Sequence, residues 1–239
     1  MVAAEPNTQY SAIVLGATGN VGGRIVQLLI QSPLCKKVML VTRRKTNAFT
    51  GPKVSEVVVN MDRLEEEVAP HAHGFDIALV AFGVGKGTAK MPEEEVRNIE
   101  IAYPQAFCRA AKAGGVRVCG VMTAAGANPN STMKYAKIVG EKEKAVESVK
   151  FDFLGVYRPA VILGNSNTPN ALGYIMPLLH WAMPSKYHSI QKNDLAHAMV
   201  AQSEQAFLEI AQGRAPKQPT VKILEYKEMK PFFAKDGAQ

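Results

Sequence analysis

Metal-site and disulfide chemistry find little to work with in this sequence. The three cysteines, Cys35, Cys108 and Cys119, are an odd number with no CxxC pair, which argues against a disulfide framework or a structural zinc site and suits a reducing compartment. Two of the three sit in apolar surroundings and read as small buried hydrophobes rather than reactive thiols. His71 and His73 in PHAHG have no evident third ligand, so that pair reads as a surface loop. His180, His188 and His197 are single histidines, able to meet a substrate but more often structural.

Aromatic residues are also sparse, at 7% with one tryptophan. Together with scattered basic residues and no RNA-binding or metal-finger signature, this argues against nucleic acid. No run approaches the ~18 apolar residues of a spanning helix; the most apolar stretch, YIMPLLHWAM, is broken by Pro177 and His180. The opening MVAAEPNTQY has neither the basic start and apolar core of a secretory signal nor the arginines of a transit peptide. The cytosol is the expected address, with the nucleus or the face of an organelle as alternatives.

What is present is a basic, ordinary globular composition. Lysine and arginine number 28 against 21 acids, for a formal charge of +7, which favours anionic partners such as nucleotides. Short apolar runs alternate with helical periodicities: SAIVLG, RIVQLLIQS, KKVMLVT, SEVVVNM, FDIALVAFG, EEEVRNIEIAYPQAFCRAAKAG and VRVCGVMTAAG. A helix is expected from about Ser131 to Lys150, followed by FDFLGVYRPAVILG as one strand. Near-continuous apolar strands alternating with helices predict an α/β fold with a doubly wound, Rossmann-like parallel sheet. The expected layout is a flexible N-terminus over 1–10, a dinucleotide-binding core over 11–164, a small substrate-side C-terminal appendage of the same domain over 165–228, and a tail over 229–239. NSNTPN marks a loop at the start of the appendage.

The stretch IVLGATGNVGGRIV places Gly16, Gly19 and Gly22 at GxxGxxG spacing between a strand and a helix. Such glycines permit a tight turn and close approach of the backbone to a pyrophosphate, while the helix N-terminus supplies N–H groups and partial positive charge. NAD-preferring sites usually place an acid at the end of the second strand to bond the ribose. Here that end reads VTRRK, and Arg43 and Arg44 offer cationic forks suited to a 2′-phosphate, so NADPH is the expected cofactor. Asn60 and Met61 at the end of the third strand, and Ala81, Phe82 and Gly83 at the end of the fourth, fall where ligands bind in open α/β sheets.

GATGNVGG, VTRRK, VAFGVGKG, KAGGVRV, TAAGAN, Tyr135 with the following VGEKE, and VYRPAVILG occur in order. Together they resemble the short-chain dehydrogenase/reductase superfamily, in an atypical branch similar to the Tat-interacting NADPH-binding oxidoreductases. The resemblance spans roughly residues 11 to 200. It implies cofactor contacts at Thr18, Gly19, Asn20, Val21, Arg43, Arg44, Phe82, Gly83 and Tyr135, and matches Arg158 and Pro159 to the family's Arg-Pro pair. It further implies Tyr135 as the proton donor to a carbonyl and Thr123 as the group that orients that carbonyl, although the second residue of the family's serine pair is Ala124.

The family's tyrosine works with a lysine four residues later, because the ordinary phenol pKa of about 10 must be tuned downward by a nearby cation. This sequence has Val139 there. Lys137 should point away, Lys134 is only marginally placed, and Lys142 returns to nearly the right angle but roughly 10 Å further along the axis. The sequence therefore predicts an NADPH-binding protein whose carbonyl reductase activity is weak or lost, acting through protein partners or within a larger assembly. The alternative is an active carbonyl or aldehyde reductase using Tyr135 and Thr123.

Overall fold

The computed structural model describes residues 8–85, 90–164, 176, 178 and 180–233. Residues 1–7 of the flexible start expected over 1–10, the NSNTPN loop and the last residues of the tail lie outside these; that start ends earlier than expected, because Tyr10 is already a fully buried strand residue.

A seven-stranded sheet forms the frame, in the order β3-β2-β1-β4-β5-β6-β9 with every neighbouring pair parallel. The strands are β1 Tyr10–Leu15, β2 Cys35–Thr42, β3 Val54–Val58, β4 Ile77–Val80, β5 Val118–Met122, β6 Phe153–Tyr157 and β9 Thr220–Leu224. Two short strands, β7 Ile162–Leu163 and β8 Ile190–Gln191, pair separately. The order reverses between β1 and β4, which opens a crevice at the carboxyl ends of these strands, the place where doubly wound folds bind nucleotides.

Alternation along the strands divides the core into two layers. Tyr10, Ala12 and Val14 of β1 face one cluster with helix α1 (Asn20–Gln31), while Ile13 and Leu15 face another. In α1 the residues Val21, Ile25, Val26 and Leu29 form one buried stripe, each fully buried large aliphatic contributing about 1.5–3 kcal/mol relative to exposure. The helix ends before Pro33, whose ring disfavours helical backbone at Ser32. The opposite face is covered by α2 (Leu64–Val68), α3 (Glu93–Arg97), a π-helical turn (Asn98–Ala102), α4 (Tyr103–Ala113) and α5 (Lys134–Glu147).

Several boundaries differ from expectation. Helix α5 starts three residues later than Ser131 and ends three before Lys150, which itself adopts a positive φ of 63°. The stretch FDFLGVYRPAVILG is two strands, because Pro159 has no N–H for a ladder and the chain leaves the sheet there. The C-terminal third also contributes more to the core than a division at 164 suggests. Helix α6 (Lys192–Ala211) packs along α1 and buries ten of its residues, and β9 completes the sheet beside β6. Even the expected tail begins inside the core: α7 (Tyr226–Met229) ends at a fully buried Met229, with Phe232 and Phe233 packed nearby. The small appendage proper is β7, β8 and two 3-10 turns, where His180 and His188 stack at 4.1 Å against the edge of Tyr226. His71 and His73 are exposed, and all three cysteines are buried.

Candidate functional site

The glycine turn is built by close approach. Gly16 has φ 91°, and a Cβ there would lie 2.4 Å from the Ala81 carbonyl oxygen. A Cβ on Gly22 would lie 2.0 Å from the Gly16 carbonyl oxygen, so the first turn of α1 sits directly on the loop. Gly19 is the N-cap, provides no side chain to cover the first turn, and no acid follows it. The partial positive charge of the helix start is thus presented to the crevice without a competing carboxylate.

Above it lies a cavity of about 850 Å³. Among the expected residues, Gly16, Thr18, Gly19, Arg43, Arg44, Phe82 and Gly83 line it. Met61 and Ala81 do so as well, with Thr46 and Tyr103 added by the structure. Asn20 borders a second, smaller cavity of about 540 Å³ that shares Thr18 and Gly19 with the first and adds Arg24 and Lys192. Val21 and Gly22 are buried beneath the turn. Asn60 does not line the large cavity; its side chain accepts from the Asp62 amide and caps a 3-10 turn.

Arg43 and Arg44 are exposed on the cavity wall. Glu56, on the neighbouring strand, is engaged by their loop: it accepts from the Thr42 hydroxyl at 3.0 Å and from the amide and hydroxyl of Thr46 at 2.9 Å each. Burial alone would raise the Glu56 carboxyl, but these hydrogen bonds and one from Asn47 together hold it below its usual range. The carboxylate therefore orders the loop instead of facing a ribose.

The surroundings of Tyr135 differ from the pattern expected by resemblance. Tyr135, the second residue of α5, does not line the large cavity; it remains 44% exposed, and burial first, the Glu100 charge second, push the phenol above its ordinary range. Val139, one turn on, is 1% exposed. Lys134 pairs at the surface with Glu93, and Lys137 is exposed. Thr123 and Arg158 do not line the large cavity, because Glu143 engages both. The Thr123 hydroxyl donates to Glu143 Oε1 at 2.8 Å, and Arg158 grips the same carboxylate through Nε at 2.8 Å and a second nitrogen at 2.5 Å. The Glu143 hydrogen bond holds the Arg158 guanidinium firmly in its charged form.

Lys142 is buried at 1% exposure, and its Nζ donates to the Phe82 carbonyl at 2.8 Å and to Glu100 Oε2 at 3.2 Å. Glu100, in the π-helical turn and 2% exposed, also accepts from the Val84 amide at 2.9 Å. Removing one partner from such a buried pair costs about 3–5 kcal/mol. Sequence reasoning missed Glu100 and Glu143, although a signal was available for the first. Glu100 stands four residues after buried Val96 and four before buried Pro104, on the apolar stripe of its helix.

Comparison with known proteins agrees with this geometry. Residues 16–206 match the NAD(P)H-binding family. The mitochondrial protein FMP52 of Candida albicans is 30% identical over 165 residues, covering 68% of this chain and 72% of its own. Protein HTATIP2 of Rattus norvegicus is 31% identical over 157 residues, covering 64% of this chain and 63% of its own. Among solved structures, the Bordetella bronchiseptica enzyme WbmH in complex with NAD+ aligns over 90% of this chain and 86% of its own, with a TM-score of 0.63 at 13% identity. A short-chain dehydrogenase family protein from Francisella tularensis aligns over 93% and 99%, with a TM-score of 0.61 at 12% identity; at such identities these two speak for the fold alone. The chain belongs to the NAD(P)H-binding family.

Proposed function

We propose that this protein binds NADPH in preference to NADH and that its carbonyl reductase activity is weak or lost. The observation that carries the reading is the contrast between the arginines on the cavity wall and the surroundings of Tyr135. On the cavity wall stand two exposed arginines, while Glu56, on the strand beside theirs, is held by threonines; the acids that line the cavity, Glu94 and Glu95, come from the α3 side. Beside Tyr135, which does not line that cavity, the residue one turn on is a buried valine.

The residues present suit the cofactor. The uncapped start of α1 and the bare turn at Gly16 and Gly19 would hold the pyrophosphate, Arg43, Arg44 and Thr46 the 2′-phosphate, and Met61 and Phe82 the flat adenine side. Bound NADPH supplies a hydride; the chain must then supply a proton to the resulting alkoxide oxygen. Tyr135 is the candidate phenol for that role. With burial and Glu100 raising its pKa, and no cation beside it to lower it, it gives up its proton reluctantly. Thr123 is held by Glu143 and is poorly placed to bond a substrate carbonyl.

A second reading, an active carbonyl or aldehyde reductase with Tyr135 as donor and Thr123 as orienter, draws on the exposure of the Tyr135 ring. One experiment separates the two: titrate the purified protein with NADPH and NADH, then follow NADPH consumption over a panel of aldehydes and ketones. Tight NADPH binding with negligible turnover supports the first reading. Turnover comparable to ordinary enzymes, at a median near 10 per second, supports the second, and equal affinity for the two cofactors sinks the NADPH preference.

Without strong catalysis the bound dinucleotide would act as a stabilising or sensing ligand, with function exerted through protein partners or a larger assembly. No described helix is long and apolar enough to cross a membrane. The mitochondrial names of the FMP52 relatives favour the organelle alternative over the cytosol. Imaging of the tagged full chain decides it.

A further inference from the structure

Beneath the cavity wall lies a pair of charges with no role so far in binding or catalysis. The side chains of Lys142 and Glu100 are 2% and 3% exposed and come from different elements, α5 and the π-helical turn. Between them they grip three consecutive residues. Lys142 donates to the carbonyl of Phe82, Glu100 accepts from the amide of Val84, and the same carboxylate stands where a Cβ of Gly83 would be, 2.8 Å from that position. Phe82, Gly83 and Val84 all line the large cavity.

Strand β4 ends at Val80, so beyond it the backbone loses the ladder that would hold its carbonyls and amides. Buried main-chain groups need partners, and the two side chains provide them: a cation for the carbonyl and a carboxylate for the amide. Apolar side chains of similar volume could fill this space without the cost of desolvating two ions, but could not fix a main-chain turn in register.

We propose that Lys142 and Glu100 are positioning residues of the cofactor site, holding the Phe82–Val84 turn in the shape that admits a dinucleotide. The proposal rests on reading the cavity as an NADPH site. Neither residue acts on the cofactor directly. Lys142 lies three residues beyond Val139, about 4.5 Å along the helix, and addresses the wall behind the cofactor instead of the position beside Tyr135. Glu100 links the same pair to the tyrosine through its field on the phenol.

The test is a double substitution, Lys142→Met with Glu100→Gln, which removes both charges at near-constant volume and leaves no lone buried ion. Hydrogen exchange at residues 82–84 is measured in the ligand-free protein, and NADPH affinity by titration. Val146→Ala, in the buried core of the same helix, serves as the control for general destabilisation. Faster exchange confined to the turn and a dissociation constant raised between about 10- and 100-fold are expected, the loss that accompanies a charge-assisted hydrogen bond. Val146→Ala should lower the melting temperature without either effect.

Unchanged turn exchange and unchanged affinity in the double variant overturn the proposal, as does an equal loss of affinity in Val146→Ala. If the double variant does not fold, Lys142→Met alone, which leaves Glu100 free to take up a proton and stay neutral, removes the bond to the Phe82 carbonyl and should still quicken exchange at the Gly83 amide of that peptide; no change there overturns the proposal equally. A wild-type protein that binds no dinucleotide sinks the cofactor reading first, and the wild-type titration alone reveals it.

Discussion

Removing Arg43 and Arg44 tests the cofactor reading most directly. Both guanidinium groups are exposed on the cavity wall, and among the described residues neither forms an ion pair, so no carboxylate has to be displaced for them to meet a phosphate. A hydrogen bond to a charged group contributes about 1.5–3 kcal/mol, and exposure argues for the lower end. With about 1.4 kcal/mol per tenfold, each Arg→Ala change should weaken NADPH roughly tenfold. The double change should cost on the order of 100-fold if the two act independently. NADH, lacking the 2′-phosphate, should change less than about threefold, well under 1 kcal/mol. Fluorescence titration of both cofactors at several salt concentrations is the assay. The screening length falls from about 10 Å at 0.1 M to about 3 Å at 1 M, so the NADPH preference of the wild type should narrow with salt and that of the double variant should barely respond. Equal weakening of both cofactors, or no weakening of NADPH, would falsify the assignment of these arginines.

Val139→Lys should raise NADPH turnover over a carbonyl panel if a latent reductase site remains; no gain with cofactor still bound counts against one. Gly22→Ala should lower stability by several kcal/mol and abolish cofactor binding, since its methyl would meet the Gly16 carbonyl at 2.0 Å; thermal melting with and without NADPH checks both. Burial raises the phenols of Tyr10, Tyr135 and Tyr157 above the ordinary 10.0. The folded state therefore keeps these protons after the unfolded chain has lost them, and stability should fall as pH rises above 10.0. Ultraviolet titration should show these tyrosines ionising late or only on unfolding. Early ionisation of the phenol that Tyr135→Phe removes would contradict the environment described for it.

The alternating strands and helices were legible because the parallel sheet is buried on both faces, so each strand is a nearly unbroken apolar run. The glycine loop was legible because its spacing and its place between strand and helix state one requirement twice. Helix periodicity also set Lys137 on the outside, where it is found. It was less able to interpret Lys142: angle and reach showed where the side chain could go, but its partners come from residues 82 and 100. Thr123 and Arg158 illustrate the same limit. Their types fitted known roles, yet Glu143 joins them across 20 and 15 residues of sequence. Strand β9 was missed because it is an exposed edge strand, with only Leu224 buried, and so lacks the apolar run that betrays the inner strands.

Helix α6 and strand β9 impose an order on synthesis. The glycine loop, both arginines and Tyr135 emerge from the ribosome before residue 192, but the helix that backs α1 and the strand that closes β6 come only afterwards. A nascent chain can thus display every cofactor-binding residue while the main layer supporting them is still missing. Premature termination anywhere before about residue 224 would leave β6 with an open edge and α6 without its cover at Met229. Such fragments should be cleared by proteolysis or aggregate rather than persist as half-active protein.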